Sequence, residues 1–480
     1  MNHFRRSLRH ISPLYPAAII SVVASFYIGG NNGFCDSDGN SNDDYDDDKN
    51  RNAYWKISPP PTTTTSYCQS AVEQQNATNI PQHKNNVEDR PRLVFLGTGS
   101  STGCPKPICA MKFQKRNDDV SMADDNSKNN SKKTHPPPLG MRVKPDSTSC
   151  LVSHLAIEGG DPKSNRNYRN NPSLLVQHYD RNTKKYKNIV IDVGKTFRET
   201  ALRWFPIIEG IHSLDAIVLT HHHMDAAAGL DDVRGFQGLK WRPESKKRGM
   251  HIRESIPLYM SEFCHLNLQS QFPWLLPNKS EPSIMPQQAK DRPTVKRDVA
   301  SFDVTIFQDY QEETIFGGGE EDGFKITPLP VWHGDDLISH GFAFSLHRPS
   351  SSSSPSSSSS LNVVYLSDIS KMVPETLDYI QKTLPPTDVL IVDSLNWGKN
   401  HPVHYTLDQA VELAQTIKPK IRTYLIGMSC DYFLPHDEMN TYLRELYGDG
   451  DDGNGVIVMA HDGLIIDLPT GPVSRAKHDK

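Results

Sequence analysis

The chain has 480 residues, of which 36% are hydrophobic and 35 are proline, and its formal net charge is −5. This low hydrophobic content predicts that part of the chain stays outside any packed core, and the absence of a basic excess argues against a large nucleic-acid surface. The seven cysteines form no Cys-x-x-Cys pair, and Cys104 and Cys109 are spaced too loosely for a zinc knuckle, so buried thiols are expected.

The N-terminus has the layout of a targeting segment. Arg5, Arg6 and Arg9 precede an apolar run, 14–28, which closes on small residues within the predicted segment 1–30. This pattern predicts a secretory signal or a signal anchor, with membrane or organelle targeting and an N-terminal membrane contact. The apolar run is shorter than the roughly 20 residues that span a bilayer. A mitochondrial or plastid presequence is the alternative, and without targeting the chain would be cytoplasmic.

Three low-complexity segments follow in the chain. Residues 31–90 are rich in Asn, Asp, Ser, Thr and Pro and cannot bury enough apolar surface to offset the entropy of ordering, so they are predicted to form a disordered linker. Inserts at about 112–145 and 349–361 interrupt a folded domain expected over 91–470, which a tail, 471–480, follows. The second insert separates two strand-like runs, and we expect it at a hairpin tip. A long loop there adds little to the entropic cost of folding, because that cost grows only logarithmically with loop length.

Short β-branched runs alternate with helical patterns through the predicted domain. The strands are predicted at 93–96, 174–178, 189–192, 216–219, 257–260, 304–307, 325–331, 341–346, 362–366, 389–392, 424–426 and 456–459. The helices are predicted at 196–205, 374–383, 406–416 and 436–446. Thr406 and Gln409 have the spacing of a helix capping box. Mixed strands and helices of this length favour two sheets sandwiched between helices.

The segment VLTHHHMDAAAGLDDVR, 218–234, carries the densest cluster of metal-binding side chains. An apolar run ends at Thr220 and is followed by His221, His223 and Asp225. A turn after a strand can direct two imidazoles and a carboxylate toward one point, and these groups are the usual ligands of zinc. The alternative interpretation is a polar turn after a buried strand.

Further histidines and aspartates stand at other predicted strand ends. His333 and Asp368 each close a strand, and His404 follows another strand after a loop. Asp192 also closes a strand, and we expect it to orient a ligand or to tie its loop. The order His-x-His-x-Asp, His, Asp, His along the chain predicts one shared metal site.

The motifs RLVFLGTGSS, NPSLLVQ, VIDVGKTFRETALRWF, THHHMDAAAGLDDVR, PLPVWHG, YLSDIS, HYTLDQAVELA, YLIGM and AHDGL occur in this order. Together they resemble a eukaryotic group of metallo-β-lactamase-fold hydrolases found in fungi, plants and algae. This group is related to ribonuclease Z and to phosphoribosyl cyclic phosphodiesterase. The resemblance covers most of 92–468 apart from the two inserts. It implies an αββα sandwich, in which two mixed β-sheets lie between helices.

The resemblance also implies a set of metal ligands. His221, His223 and His333 would hold a first metal ion, and Asp368 would bridge to a second one. Asp225 would belong to the second ion and contact the nucleophilic water. The implied cofactor is Zn²⁺, as one or two ions, with Mn²⁺ as an alternative.

Two histidines that the relatives use for the second metal ion are replaced in this chain. Their positions hold Ala226 and Gly427. Either the site binds one metal ion, or another residue supplies a ligand. His436 is the first candidate for that ligand, with His461 behind it, and a surface histidine at a helix start is the alternative interpretation of His436.

The implied chemistry is hydrolysis. Zinc lowers the pKa of bound water to about 7 and so supplies hydroxide at neutral pH. Asp225 can orient that hydroxide or take its proton. His404 occupies the position at which the phosphodiesterase relatives place a proton donor for the leaving group. Alternatively, His404 only caps its helix or packs on the sheet, and His401 could take its role.

Basic residues beside the motifs predict a small anionic substrate. Lys195, Arg198 and Arg234 follow strand ends or helices that adjoin the predicted metal site. The alternative is that these residues form ion pairs with neighbours such as Asp231 and Asp232.

Several functions remain open at this point. The leading one is a metal-dependent phosphodiesterase that acts on a small or cyclic phosphodiester. A tRNA-processing nuclease like ribonuclease Z is the first alternative, supported only by the basic stretch 240–253, which is also interpreted as a solvated loop. The others are a thioester hydrolase on the same fold and, last, a non-catalytic metal-binding protein.

Overall fold

The computed structural model describes residues 90–109, 150–180, 182–242, 250–276, 299–317, 323–347, 360–398, 400–448 and 456–467. All of them belong to the second of two compact units of the chain, Asn85–Lys480. The predicted targeting segment, the tail, nearly all of the linker and most of both inserts lie outside these ranges. Among the helices in these ranges, none is long and apolar enough to cross a membrane.

The described part of the chain contains strands and helices in alternation. The strands are β1 (Arg92–Gly97), β2 (Ser173–Asp180), β3 (Lys185–Ile191), β4 (Ala216–Val218), β5 (Leu239–Arg242), β6 (Met250–Arg253), β7 (Ile256–Met260), β8 (Phe302–Ile306), β9 (Glu313–Phe316), β10 (Phe324–Trp332), β11 (Ile338–His347), β12 (Ser360–Leu366), β13 (Val389–Asp393), β14 (Arg422–Ile426), β15 (Val456–Met459) and β16 (Ile465–Asp467). The α-helices are α1 (Leu151–Glu158), α2 (Phe197–Trp204), α3 (Met224–Ala227), α4 (Glu262–Gln271), α5 (Pro374–Lys382), α6 (Leu407–Ile417) and α7 (His436–Tyr447), and a 3₁₀ helix spans Ala228–Phe236.

Two seven-stranded sheets form the centre of the fold. The first has the order β16-β1-β2-β3-β4-β7-β8, and the second has the order β15-β14-β13-β12-β11-β10-β9. Both are mixed. Antiparallel pairs lead into a run of parallel pairs, β3-β4-β7-β8 in the first sheet and β12-β13-β14-β15 in the second. The two sheets therefore repeat one pattern of strand pairing.

Alternate residues of each strand face opposite layers, as the pleat of a strand requires. Leu93 and Phe95 of β1 pack in a core that also contains Phe342 and Tyr365 of the second sheet. Val94 of β1 instead packs in a core with residues of α2 and α4. The outer face of the second sheet packs in the same way against residues of α5, α6 and α7. The predicted αββα layering is confirmed.

Most elements predicted from the sequence are present, and the missed ones are short or weakly patterned. Strands β5, β6, β9 and β16 have three or four residues each, too few for a period to show. Helices α1 and α4 have only weak amphipathic patterns. The predicted second insert, 349–361, ends earlier than expected, because β12 begins at Ser360 and pairs with β11 from that residue. The predicted hairpin around the serine run is confirmed.

Candidate metal-binding and catalytic site

The three predicted histidine ligands converge at the ends of β4 and β10. One ring nitrogen each of His221, His223 and His333 lies within 4.8 Å of the others. The ring centroids are 4.6 to 5.2 Å apart. His221 and His333 are buried, whereas His223 is exposed. A cluster of three imidazoles, two of them buried, is suited to a divalent metal ion.

A chain of hydrogen bonds orients His221. Asp192 follows β3 and accepts from the Thr220 backbone N–H at 2.8 Å and from the Thr220 hydroxyl at 2.9 Å. Because the hydroxyl proton goes to Asp192, Thr220 Oγ1 accepts from His221 Nδ1, 2.9 Å away. This tautomer leaves Nε2 of His221 as the electron-pair donor, and Nε2 is buried without a partner among the described residues. Asp192 thus supports His221 through Thr220, and its role in orienting a metal ligand stays a prediction.

His333 is oriented by the backbone. Its Nδ1 donates to the Val403 carbonyl at 2.8 Å, which again leaves Nε2 to face the cluster. Burial lowers the pKa of His221 to about 3 and also lowers the pKa of His223. Both rings are therefore neutral at physiological pH, which is the form that binds a metal ion.

Two carboxylates complete this side of the site. Asp368 follows β12, is buried, and groups with His333 and His404 within 4.8 Å. Burial alone would raise the pKa of Asp368, but His221, His333 and His404 hold it below its usual value. Asp225 lies in α3, with Oδ1 4.0 Å from Nε2 of His221. Burial, together with the charge of Asp368, raises the pKa of Asp225 to about 7.

The turn after β3 approaches Asp225 closely. A Cβ on Gly194 would lie 1.7 Å from the Asp225 carbonyl oxygen, so only glycine fits. The neighbouring Val193 and Lys195 donate backbone hydrogen bonds to α3 at 2.7 and 3.0 Å. The predicted DVGK segment therefore fixes the short helix that carries Asp225.

His404 faces the metal ligands from the second sheet and is paired with a residue that the sequence did not indicate. Its Nδ1 lies 2.7 Å from Asp393 Oδ2, at the end of β13. Burial would lower the pKa of His404, but Asp393 and Asp368 raise it to about 9. Nδ1 also lies 4.0 Å from Asp368 Oδ1. The pairing with Asp393 leaves Nε2 of His404 for a ligand.

The glycine that replaces a histidine of the relatives stands directly against this pair. Gly427 has φ +74°, and a Cβ there would lie 2.0 Å from Asp393 Oδ1. No side chain fits without displacing Asp393. Ala226, the other replacement, is buried in α3.

His436 and His461 require a correction. His436 begins α7, is buried, and its Nε2 is 3.0 Å from Nδ2 of Asn440. Its ring packs 5.4 Å from that of His461, and Arg169 is among the groups that lower its pKa after burial. Among the described residues, neither His436 nor His461 belongs to a group of ligand atoms around His333. His436, the predicted replacement ligand, is thus not grouped with the ligand atoms of the site, and its ring lies beside His461 and feels the charge of Arg169 instead.

The predicted basic residues separate into two classes. Lys195 is exposed and lines the cavity beside the cluster. Arg234 is 3.6 Å from Asp231, which is the ion pair weighed as an alternative. Arg198 is exposed on α2 and does not line the cavity. His401 packs against His404, with ring centroids 5.3 Å apart.

These groups open into a cavity of about 470 Å³. Seven lining residues were not singled out from the sequence: Ser101, His222, Met224, Phe263, Asp336, Leu337 and Val403. His222 lies within the metal motif and packs on Phe263 of α4, with ring centroids 5.5 Å apart. The cavity is lined by Ser101, Lys195, His222, His223, Met224, Asp225, Phe263, His333, Asp336, Leu337, Val403 and His404.

Comparison with known proteins gives matches in sequence and structure. The family model of the beta-lactamase superfamily domain matches residues 187–428, half of the chain. A diphosphatase from the PhnP family is 25% identical, covers 79% of this chain and 98% of its own, and has a TM-score of 0.48. Zinc-bound PqqB from Methylobacterium extorquens is 14% identical, with 78% and 100% covered and a TM-score of 0.46. A long-form RNase Z from yeast is 14% identical, with 82% and 44% covered and a TM-score of 0.41.

One curated protein is also similar in sequence. It is an octanoyltransferase from Porphyromonas gingivalis, 24% identical over 245 residues, which are 51% of this chain. The chain spans about a third of that relative, 36% of its length.

Proposed function

Because this chain belongs to the beta-lactamase superfamily, we propose that its cavity hydrolyses a small phosphodiester with the help of a divalent metal ion. The observation that carries the proposal is that two different groups line one cavity. The imidazole cluster at the ends of β4 and β10 adjoins the Asp393–His404 pair, with the rings of His333 and His404 5.0 Å apart. A phosphodiester needs both an activated water and a proton donor for its alkoxide leaving group.

The residues present fit a divalent ion. Nε2 of His221 is buried without a partner among the described residues, and His333 is held in the tautomer that leaves Nε2 free. His221, His223, His333 and Asp368 would hold the ion, with Asp225 beside them. When bound, such an ion supplies Lewis-acid chemistry, by lowering the pKa of water and polarising phosphoryl oxygens. The donor set of imidazole and carboxylate suits Zn²⁺ and also accepts Mn²⁺.

His404 would act as the proton donor. Asp393 holds Nδ1 of His404 at 2.7 Å and is itself buried, so the ring is fixed in direction and favoured in its protonated form. The proton on Nε2 can then pass to the leaving oxygen as the bond to phosphorus breaks. Asp393 takes no part in bond breaking but positions the ring, as a carboxylate does behind a catalytic histidine.

Asp225 would act on the attacking side. Its carboxylate lies 4.0 Å from His221, and burial together with Asp368 raises its pKa to about 7. From this position the carboxylate can orient an attacking water or accept its proton. Asp225 and His404 therefore serve opposite ends of the reaction.

The cavity favours a small anionic substrate. Its volume of about 470 Å³ is that of a site for a small molecule. Lys195 is the one lysine or arginine that lines it, and it can pair with a phosphate or carboxylate of the substrate. A nuclease would need a wider basic surface, and the described lining provides a single lysine and no arginine.

The test uses the metal-loaded full chain with a cyclic phosphodiester, an alkyl phosphodiester, a nitrophenyl phosphodiester and a thioester. We expect hydrolysis of the phosphodiesters. His404→Asn should lower turnover of the alkyl ester by about 10²- to 10⁴-fold and that of the nitrophenyl ester much less, because nitrophenolate leaves without a proton. His401→Asn is the matched control and should have little effect on either ester.

Two results would contradict this assignment. Equal losses for both esters in His404→Asn would remove this residue as the proton donor. Turnover of the thioester alone, or cleavage of a precursor tRNA without cleavage of the small esters, would replace the phosphodiesterase with one of the alternative functions.

A further inference from the structure

One part of the cavity lining is apolar and exposed, in contrast to the imidazoles and carboxylates beside it. Phe263 of α4 and Met224 of α3 both line the cavity, and the two residues are 53% and 42% exposed. Every other phenylalanine that the structure describes is buried or partly buried. Single exposed apolar side chains are common on protein surfaces, but two that line one cavity form a surface that a ligand can cover.

The start of its helix fixes the position of Phe263. The side chain of Ser261 caps α4 and accepts a hydrogen bond from the Cys264 N–H at 3.3 Å. Cys264 and Leu268 form the buried face of this helix and pack in the core that also contains Val94 of β1. Phe263 is therefore exposed on a helix whose first turn is anchored to the fold.

The ring of His222 connects Phe263 to the metal-ligand cluster. His222 packs on Phe263 with ring centroids 5.5 Å apart and ring planes inclined by 75°. It also packs on His223, with ring centroids 5.0 Å apart. Such steeply inclined contacts stabilise aromatic pairs and favour one direction of each ring. Among the described residues, His222 belongs to none of the groups that could hold a metal ion, which leaves it free to support Phe263.

We propose that Phe263, Met224 and His222 form a stacking subsite for a planar aromatic or heteroaromatic ring that the substrate carries beside its phosphodiester. The inference rests on the proposed hydrolysis and narrows its substrate class. Lys195 and the metal ion would bind the anionic phosphate group, while the ring would cover the exposed face of Phe263. Since the ring of His222 contacts both Phe263 and His223, a ring joined to the phosphate by a few bonds reaches both parts of the cavity.

A planar ring suits this subsite better than a saturated group of the same size. Aromatic pairs gain stabilisation beyond the apolar area that they bury, and the stacking of one base on an aromatic side chain corresponds to roughly 5- to 100-fold in affinity. Met224 adds a flexible side chain whose sulfur makes favourable contacts with rings. The phenyl ring of Phe263 would thus select the planar ring, and Met224 would adapt to its outline.

The test measures the binding of two non-hydrolysable phosphonates to the metal-loaded full chain by calorimetric titration. Benzylphosphonate carries a planar ring, and cyclohexylmethylphosphonate carries a saturated ring of similar size on the same linker. The wild type should bind benzylphosphonate more tightly by roughly 5- to 100-fold. Phe263→Leu keeps an apolar side chain but removes the aromatic face, so it should lose most of this preference. Phe263→Trp restores an aromatic face and should retain the preference.

Leu266→Ala is the matched control for the loss of exposed apolar surface on α4. Leu266 is 57% exposed and lies three residues after Phe263, but it does not line the cavity. This variant should keep the wild-type preference. His222→Ala should weaken the preference while the metal content stays normal, because His222 positions Phe263 and is not assigned as a ligand. His222→Phe supplies a supporting ring again and should restore the preference.

Because binding is measured without hydrolysis, the subsite and the proposed function can fail separately. If the wild type hydrolyses phosphodiesters but binds the two phosphonates equally, or binds neither, the stacking subsite is wrong and the hydrolytic function stands. If the wild type prefers benzylphosphonate through Phe263 but hydrolyses no phosphodiester, the subsite stands and the hydrolytic function is wrong. An unchanged preference in Phe263→Leu would also overturn the subsite.

Discussion

The two halves of the sandwich contribute to the catalytic cavity in different ways. The first sheet presents His221, His223 and Asp225 within five consecutive residues after β4. The second half assembles its groups from the ends of β10, β12 and β13, and joins Asp393 to His404 across a loop. The site residues of the first half therefore form a local sequence motif, whereas those of the second half meet only when the second sheet has formed.

This contrast separates two kinds of function. In the proposed reaction the local motif would supply two imidazole ligands and Asp225. The assembled half would supply the ligands His333 and Asp368 and also the proton donor His404, whose direction depends on a buried carboxylate 11 residues away in sequence. Damage to the first half should therefore remove the metal ion, whereas damage to the Asp393–His404 pair should leave the metal ion and impair proton transfer.

The largest effect is expected in the first half. His221→Ala/His223→Ala removes two of the three clustered imidazoles, and the remaining ligands cannot form a tetrahedral site. We expect complete loss of metal from this site and of hydrolysis, measured by elemental analysis and ester turnover. Retention of metal together with activity would show that these histidines are not ligands. His401→Asn controls for the removal of a nearby imidazole.

The second half is tested through Gly427→Ala. The new Cβ would lie 2.0 Å from Asp393 Oδ1, so Asp393 must move away from His404. We expect turnover of an alkyl phosphodiester to fall by about 10²-fold or more while metal content stays normal. Gly448→Ala is the matched control, because Gly448 also has a positive φ, +77°, but has open space around it. If the two variants behave alike, backbone strain rather than the displaced carboxylate explains the loss.

A smaller effect should follow from loosening a ligand in the first half. Thr220→Val keeps the shape of the side chain but removes the hydroxyl between Asp192 and His221. Because such supporting hydrogen bonds fix ligand direction, we expect metal affinity to fall by about 10- to 100-fold. Thr376→Val, another fully buried threonine with a hydrogen-bonded hydroxyl, controls for the loss of a buried polar group. Competition with a chromogenic chelator measures the metal affinity of both variants. If Thr220→Val and Thr376→Val bind the metal ion equally well, the hydrogen-bond chain from Asp192 through Thr220 to His221 does not support metal binding.

A separate effect, on the stability of the fold, is expected at Asp462, which lies between β15 and β16. Asp462 accepts hydrogen bonds from Thr98 and from the Asn170 backbone, and burial raises its pKa to about 7. An unfolded aspartate has a pKa of about 3.9. The folded state therefore binds more protons between about pH 4 and pH 7, so the free energy of unfolding falls as pH rises through this window, by up to about 4 kcal/mol.

Asp462→Asn should flatten this part of the pH dependence, although the amide also lowers stability at every pH. Urea unfolding of the wild type and the variant at several pH values measures the difference. Asp215→Asn is the control for the loss of a carboxylate that accepts a backbone N–H, here from Asn188 at 2.9 Å. A wild-type slope that persists in Asp462→Asn would contradict the assignment.

The contrast between a local motif and residues assembled by the sheet also explains which parts of the fold and of the site could be predicted from the sequence. Long alternating strands and amphipathic helices could be located because their periods repeat, and His221, His223 and Asp225 could be grouped because they share one turn. Asp393 was not singled out, since an aspartate that closes a β-strand looks the same whether or not a histidine reaches it. The neighbours of His436 could not be foreseen, because a helix-starting histidine near a motif gives no sign of which ring, here that of His461, it will pack against.

The cysteines show that the spacing of residues in the sequence does not reveal every cluster of side chains in the fold. Zinc sites are recognised in sequences by pairs of ligands two to four residues apart. The sulfur atoms of Cys109, Cys150 and Cys430 lie within 4.8 Å of one another, although these residues are far apart in the sequence, so no short pattern predicts that they meet.

The repeated strand pairing places Asp192 and Asp368 at equivalent positions, after β3 and β12, and both have a left-handed backbone, with φ of +63° and +52°. In one copy Thr220 occupies both carboxylate oxygens with its N–H and O–H. In the second sheet the Ser367 hydroxyl donates to Asp368 Oδ2, and Asp368 Oδ1 lies 4.0 Å from Nδ1 of His404. For protein engineering, the two positions are thus comparable: a threonine occupies the carboxylate of Asp192, whereas the carboxylate of Asp368 faces the histidines. Transferring or deleting that threonine offers a way to move a ligand position from one half to the other.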